Sequence, residues 1–320
     1  MPKITLVDLG QIRAAQKVIS GRLHRTRMTR SAYLSDQLGI DLHLKLEMFQ
    51  KTGSFKPRGV LNKLHHLSPE EHRRGVISVS SGNHAQALAY AASSSGVRST
   101  IVMPAGAVAS KVNATRGYGG KIVFTDGDLL ETVRSVQEEQ GLTMVHPFDD
   151  PMIIAGAGTT GMEIVEDLPD VDVVVVGVGG GGLISGVAAA IKLQRPNAKI
   201  IGVEPEGARA MTLSLQAGKL VQLDSVDTVA DGLAPPFTGE HNLSHVQGFV
   251  DEVVIVTDDE IVEAMAIILE RTKVVAEPAA ASTLAALLSG KATVAAKSKV
   301  VCLLSGGNID RRRLASLLGS

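Results

Sequence analysis

The sequence predicts an α/β fold built on two open, mostly parallel sheets with flanking helices. Three observations carry this. At 320 residues the chain is long for one hydrophobic core, so two domains are expected. Short runs of β-branched residues recur, and such continuous runs mark strands buried on both faces. Each run closes in a Gly- or Ser-rich turn, and helix-compatible stretches alternate with the runs, as a parallel sheet requires.

The elements follow in chain order. Residues 7–20 read as an amphipathic helix with Ile12, Ala15, Val18 and Ile19 on its apolar side. Residues 75–80 run as a strand into Ser81-Gly82-Asn83-His84 and a helix over 85–92. Residues 99–103 run into Pro104-Ala105-Gly106, and 121–124 into Thr125-Asp126-Gly127. Residues 171–176 run into the glycine turn 177–182 and a helix over 183–193. Residues 199–203 run into Glu204-Pro205-Glu206-Gly207. Residues 258–272 form a second amphipathic helix, carrying Ile261, Val262, Met265, Ile268 and Leu269. The last strand is read over 300–304, with Lys299 left outside it, and ends in Ser305-Gly306-Gly307-Asn308. The domain division expected from this series is a small domain over 47–146 and a larger one from 1–46 plus 147–320.

Composition excludes several function classes. Lys plus Arg (32) nearly balances Asp plus Glu (33), aromatic residues make up 3% and Trp is absent. Neither a polyanion-binding field nor a base-stacking platform is in view, so nucleic acid is not an expected partner. The single cysteine, Cys302, sits in an apolar run and reads as a buried strand residue, which fits a reducing cytoplasm. Met1-Pro2-Lys3-Ile4 lacks the pattern of a signal peptide, and glycines interrupt the apolar runs before membrane-spanning length. A cytoplasmic protein with no membrane partner is expected.

Ligands of open α/β sheets sit beyond the carboxyl ends of the strands, where these turns occur. Gly179-Gly180-Gly181-Gly182 offers main-chain N–H groups at a helix N-terminus without side chains in the way, which is the chemistry of a phosphate cradle. A tight strand–helix turn would explain one glycine rather than four. The same segment satisfies G-x-G-x-x-G from Gly177, with Glu204 where a ribose-binding acid would stand, so a nicotinamide enzyme remains an alternative at this point. In Thr52-Gly53-Ser54-Phe55-Lys56-Pro57, Lys56 between Phe and Pro is a candidate desolvated amine, nucleophilic toward an aldehyde. Ser80, Ser81, Gly82, Asn83 and His84 open a helix with hydroxyls, an amide and N–H groups, suited to a substrate carboxylate, although Ser or Asn there is also ordinary capping. His84 taken alone reads as a structural histidine. Ser305 ends a strand beside two glycines and offers a hydroxyl to a planar ring.

These four segments, in this order and over nearly the whole chain, resemble the fold type II pyridoxal-phosphate enzymes, and most nearly the threonine/serine dehydratase and serine racemase family. The resemblance implies a tryptophan synthase β-like fold with the cofactor in the cleft between two domains. It implies that Lys56 forms a Schiff base with pyridoxal 5′-phosphate, and that Gly179, Gly180, Gly181, Gly182 and Leu183 hold the phosphate. Asn83 would bond the phenolic oxygen, Phe55 would flank the ring, Ser305 would meet the ring nitrogen, and Gly232 and Glu277 would lie near the ring. Ser80, Ser81, Asn83 and His84 would bind the substrate carboxylate. Lys56 would serve as base on one cofactor face and Ser81 stands at the second, so serine racemase is the alternative to dehydration of threonine or serine.

The match departs from the family in places. A cation site built from Glu204 and Ala208 finds Ala210 in place of a second carboxylate, so no divalent metal is expected. Leu129 stands where relatives carry an Arg, and Pro235 where racemases carry a Ser, which points to a neutral substrate side chain. The chain ends soon after Asp310, which predicts a catabolic-type enzyme without a C-terminal effector domain. The family implies a homodimer, with a tetramer as the other assembly.

Overall fold

The structure is a computed structural model that describes residues 4–319. Met1, Pro2 and Lys3, part of the segment read for a signal peptide, lie outside the described residues, as does Ser320. Among the described residues, ten strands form two sheets. In chain order they are β1 (Met28–Arg30), β2 (Asp41–Leu46), β3 (Val76–Val79), β4 (Ser99–Pro104), β5 (Lys121–Thr125), β6 (Thr143–Met144), β7 (Val173–Gly177), β8 (Lys199–Pro205), β9 (Glu252–Val256) and β10 (Lys299–Leu304). One sheet has the order β1-β2-β10-β7-β8-β9 and the other β5-β4-β3-β6. Every pairing is parallel except β1 with β2. The smaller sheet thus lies wholly within residues 76–144.

The β-branched runs do what they predict. Val174, Val175, Val176, Ile200, Ile201, Val203, Val300 and Val301 are all fully buried, because helices cover both faces of the larger sheet. The helix Leu9–Ile19 starts two residues inside the expected stretch, since Asp8 and Gln11 form a reciprocal capping box. The helix Asp258–Thr272 has the bounds expected of it, closed at one end by a Thr257–Glu260 capping box and at the other by Lys273 in the left-handed region.

Four strands, β1, β2, β6 and β9, escape the sequence pattern, and the start of β10 is corrected. β2 alternates polar and apolar residues, and β9 runs into the helix cap Thr257 without a glycine. β10 begins at Lys299 rather than Val300: Lys299 is in register with Asp41, and its N–H donates to Asp172 Oδ2 at 2.8 Å. Its aliphatic stem allows the ladder to extend one residue while the amine pairs with Asp170 at the surface.

The carboxyl ends of β2, β3, β6, β7 and β10 lead into the segments at 47–56, 80–84, 145–150, 177–182 and 305–308. The helix Pro57–His65, which follows Lys56, lies so close to the helix Pro151–Asp167 that a Cβ at Gly156 would stand 2.4 Å from the Arg58 carbonyl. A buried charge network ties the same elements together. Arg58 bonds Glu47 through Nε at 2.8 Å and Glu163 through Nη1 at 2.7 Å, and Lys45 Nζ reaches Glu163 at 2.6 Å. Burial alone would depress the guanidinium; Glu47 and Glu163 hold it above its ordinary value instead.

Candidate active site

Lys56 stands at the entry to the helix Pro57–His65, where Pro57 occupies the first helical position and needs no N–H partner. Its Nζ donates to the Pro147 carbonyl at 2.9 Å and lies 5.2 Å from the centre of the Phe55 ring. Burial lowers the amine from 10.5 to about 8, against the pull of Glu277, which favours the ammonium. A large neutral fraction near pH 8 makes Lys56 a usable nucleophile and base.

The segment before Lys56 is fixed from the far end of the chain. Ser54 bridges to Gly306, Gly307 N–H donates to the Gly53 carbonyl at 3.0 Å, and Phe55 N–H donates to the Ser305 carbonyl at 3.1 Å. Asn308 Nδ2 donates to the Thr52 carbonyl at 2.7 Å and to Asn83 Oδ1 at 2.8 Å. Thr52 adopts φ 132°, a strained conformation for a β-branched residue, and such strain of about 1–3 kcal/mol persists only where surroundings impose it.

Glu277 draws the segments together. Its Oε1 accepts from Asn83 Nδ2 at 2.8 Å and its Oε2 from Asn308 N–H at 3.2 Å. A Cβ at Gly306 would stand 2.7 Å from Oε1, so this glycine leaves the carboxyl room, whereas one at Gly232 would meet Oε1 at an ordinary 3.6 Å and Ala279 at 2.8 Å. Burial pushes Glu277 up to about 7, while the Asn83 hydrogen bond holds it down.

The glycine turn carries more packing than the sequence argument allows. Gly181 has φ +96°, which favours glycine. A Cβ at Gly180 would stand 2.4 Å from the Phe148 ring, and one at Gly179, Gly181 or Gly182 would stand 3.0, 2.8 or 2.9 Å from Leu233, Asn242 or Phe148. Close packing therefore accounts for all four glycines rather than one. The anion-binding capacity rests instead on the helix Gly182–Lys192, whose first-turn N–H groups have no acceptor within the helix. Thr238 Oγ1 and Asn242 Nδ2 both donate to the Gly180 carbonyl, at 3.1 and 2.9 Å, which turns that oxygen aside. Leu183 is buried in the core beneath the turn.

At the third segment, Ser80 Oγ accepts the Gly82 N–H at 3.1 Å, and Ser80, Ser81, Gly82 and Asn83 remain half-buried at the start of the helix Asn83–Ser94. His84 is turned inward. Its Nε2 lies 3.0 Å from Ser78 Oγ and 3.2 Å from the Val145 carbonyl, and burial beside Lys56 lowers it to about 3. What His84 can offer a carboxylate is its main-chain N–H at the helix start.

Other sequence-marked residues serve structure. Glu204 is fully buried and accepts from Met211 N–H, Thr212 N–H and Thr212 Oγ1 at 2.8, 2.8 and 2.6 Å, so its oxygens cap the helix Ala210–Ala217 instead of facing a ribose or a cation. Leu129 packs with Ile77, Val102, Val133 and Leu142, and Pro235 lies against Gly179. Cys302 is buried and its thiol is pushed up to about 12, which leaves it inert. Among the described residues no cluster of three or more His, Cys, Asp or Glu could hold a metal, and no helix is long and apolar enough to cross a membrane.

Asn308, the Pro147 carbonyl, Phe148, Thr238 and Asn242 escaped the sequence reading as site residues. Only Asn308 carried a signal, as the last residue of Ser305-Gly306-Gly307-Asn308.

The residues present fit pyridoxal phosphate: an amine for the aldehyde, a glycine turn at a helix N-terminus for the phosphate, and Asn83, Ser305 and Glu277 between. The comparisons agree. The chain is 47% identical over 309 residues to an L-threonine ammonia-lyase of Thermotoga maritima, covering 95% of this chain and 76% of the relative. It is 41% identical over 317 residues to the L-threonine dehydratase catabolic TdcB of Escherichia coli K12, covering 98% and 96%. The structure of maize serine racemase matches with a TM-score of 0.93 at 40% identity, covering 98% of this chain and 97% of that one. The model of the pyridoxal-phosphate dependent enzymes matches residues 19–306, which contain Lys56, the glycine turn and Ser305 alike, and the chain belongs to that family.

Proposed function

We propose that this protein is a pyridoxal-phosphate-dependent threonine/serine ammonia-lyase, which converts L-threonine to 2-oxobutyrate and ammonia, or L-serine to pyruvate and ammonia. The observation that carries the reading is the placement of the Lys56 amine. It is desolvated and held on the Pro147 carbonyl, one residue from Phe148, which packs on the glycine turn. An aldehyde-reactive amine and an anion cradle thus meet at the same turn.

The cofactor, when bound, supplies an electron sink for the charge that develops at the substrate Cα. The chain supplies the rest. The glycine turn from Gly179 to Gly182, with Leu183 beneath it, would hold the phosphate, and Phe55, Asn83, Gly232, Glu277 and Ser305 would lie around the ring. Ser305 would offer the ring nitrogen a neutral hydroxyl, a partner that moderates the sink the cofactor supplies. Ser80, Ser81, Asn83 and the N–H of His84 fix the substrate carboxylate at the N-terminus of the helix Asn83–Ser94. Lys56, with a value near 8, takes the Cα proton as general base.

Ser81 supports a second reading, racemisation, because it stands in the turn that opens the carboxylate-binding helix and carries an exchangeable proton. We take residues 47–146 as the small domain and 1–46 with 147–320 as the large one, and the enzyme as a cytoplasmic homodimer. The test is to give the cofactor-loaded protein L-threonine and, separately, L-serine. Accumulation of 2-oxobutyrate or pyruvate with ammonia supports the lyase. D-serine formed in excess of 2-oxo acid replaces it with the racemase.

A further inference from the structure

The segment between β6 and the helix Pro151–Asp167 makes a tight turn, and Pro147, Phe148 and Asp149 in it each meet a different part of the site. His146 Nδ1 accepts the Asp149 N–H at 2.8 Å and the Phe148 N–H at 3.3 Å. It closes the turn as an Asn or Asp side chain closes an Asx turn, by accepting main-chain N–H groups two and three residues on. The Pro147 carbonyl inside that turn is the acceptor for Lys56 Nζ. The Phe148 ring stands edge-on to His146 and lies where Gly180 and Gly182 leave room for it. Asp149 Oδ1 accepts from the N–H groups of His241 and Asn242 at 3.0 and 3.4 Å, and Asn242 in turn bonds the Gly180 carbonyl.

We propose that His146 is a positioning residue: its unprotonated Nδ1 holds the turn that sets the Lys56 amine and the glycine cradle relative to each other. The role belongs to one face of one nitrogen, so it requires the neutral ring. The groups facing His146 are Asp149 and Asp150 from its own turn, Lys56 from the entry to the helix Pro57–His65, and His84 from the helix Asn83–Ser94. Two carboxylates favour protonation; burial and Lys56 oppose it, and the ring sits below the ordinary histidine value. Protonation in acid removes the acceptor and opens the turn.

This inference builds on the proposed cofactor chemistry, yet its first readout is in the cofactor-free protein, so the two fail separately. The variants are His146→Asn, which keeps an acceptor at the turn, and His146→Leu, which does not. The first measurement is the pH dependence of Lys56 acylation by acetic anhydride, followed by mass spectrometry of the Lys56 peptide. The second is the affinity for pyridoxal phosphate as a function of pH. His146→Leu is expected to raise the Lys56 midpoint by about one unit, a roughly tenfold loss of neutral amine at neutral pH, with a comparable loss of cofactor affinity. His146→Asn is expected to keep both near wild type at neutral pH, and to lose affinity less steeply than wild type in acid, because the Lys56 and cofactor titrations are common to both proteins and that of His146 is not. A folded His146→Leu protein with wild-type Lys56 titration and affinity overturns the proposal. So does a His146→Asn protein that keeps the wild-type acid weakening, and that result decides the matter even where the leucine variant fails to fold.

Discussion

Lys56 combines two properties that a surface lysine lacks. It is desolvated, which lowers its pKa to about 8, and it has one fixed acceptor, the Pro147 carbonyl. The neutral form is the reactive one, so acylation of Lys56 in the cofactor-free protein should rise with pH to a midpoint near 8 and level off above it. A midpoint near 10.5, the ordinary lysine value, contradicts the burial argument. Lys56→Ala removes the base and should reduce 2-oxo acid formation by at least about 10²–10⁴-fold with the melting temperature preserved, read by turnover and circular dichroism together. Lys56 was legible in the sequence because Phe, Pro and two glycines surround it. Its acceptor was not, because a main-chain carbonyl 91 residues away leaves no mark on side-chain identity.

The glycine turn and the helix Gly182–Lys192 behave as one element, locked beneath Phe148. Gly180→Ala pushes a methyl group into that ring. It should cost about 1–3 kcal/mol of stability, measured by denaturant unfolding without cofactor, and should weaken cofactor binding as the turn shifts. Retention of wild-type stability shows that Phe148 can move aside. Strands closed by glycine turns were readable because a parallel strand buried on both faces leaves little but Val, Ile and Leu. β2 was not, because Lys45 stands in a fully buried position that its pairing with Glu163 makes tolerable, and it breaks the apolar run. The inward turn of the His84 ring was equally hidden. Its partners, Ser78 and the Val145 carbonyl, lie on two different strand ends.

The whole molecule is tied behind the site by the network of Lys45, Glu47, Arg58 and Glu163, two positive and two negative charges with almost no exposure. Arg58 lies two residues from Lys56, and Glu163 lies 105 residues further along the chain on the helix Pro151–Asp167. A sequence scan for local charge patterns cannot pair groups so far apart. Glu163→Ala leaves two buried cations short of a partner and should cost about 3–5 kcal/mol in equilibrium unfolding. A loss below about 1 kcal/mol, the range of exposed ion pairs, means that water reaches the network.

The measurement that tests the central claim most directly is reductive trapping. The protein loaded with pyridoxal phosphate is treated with borohydride, digested, and searched for the phosphopyridoxyl group by mass spectrometry. The account predicts that the visible absorption band disappears and that the group is found on Lys56. A group on another lysine, or no band and no modified peptide after loading, contradicts it.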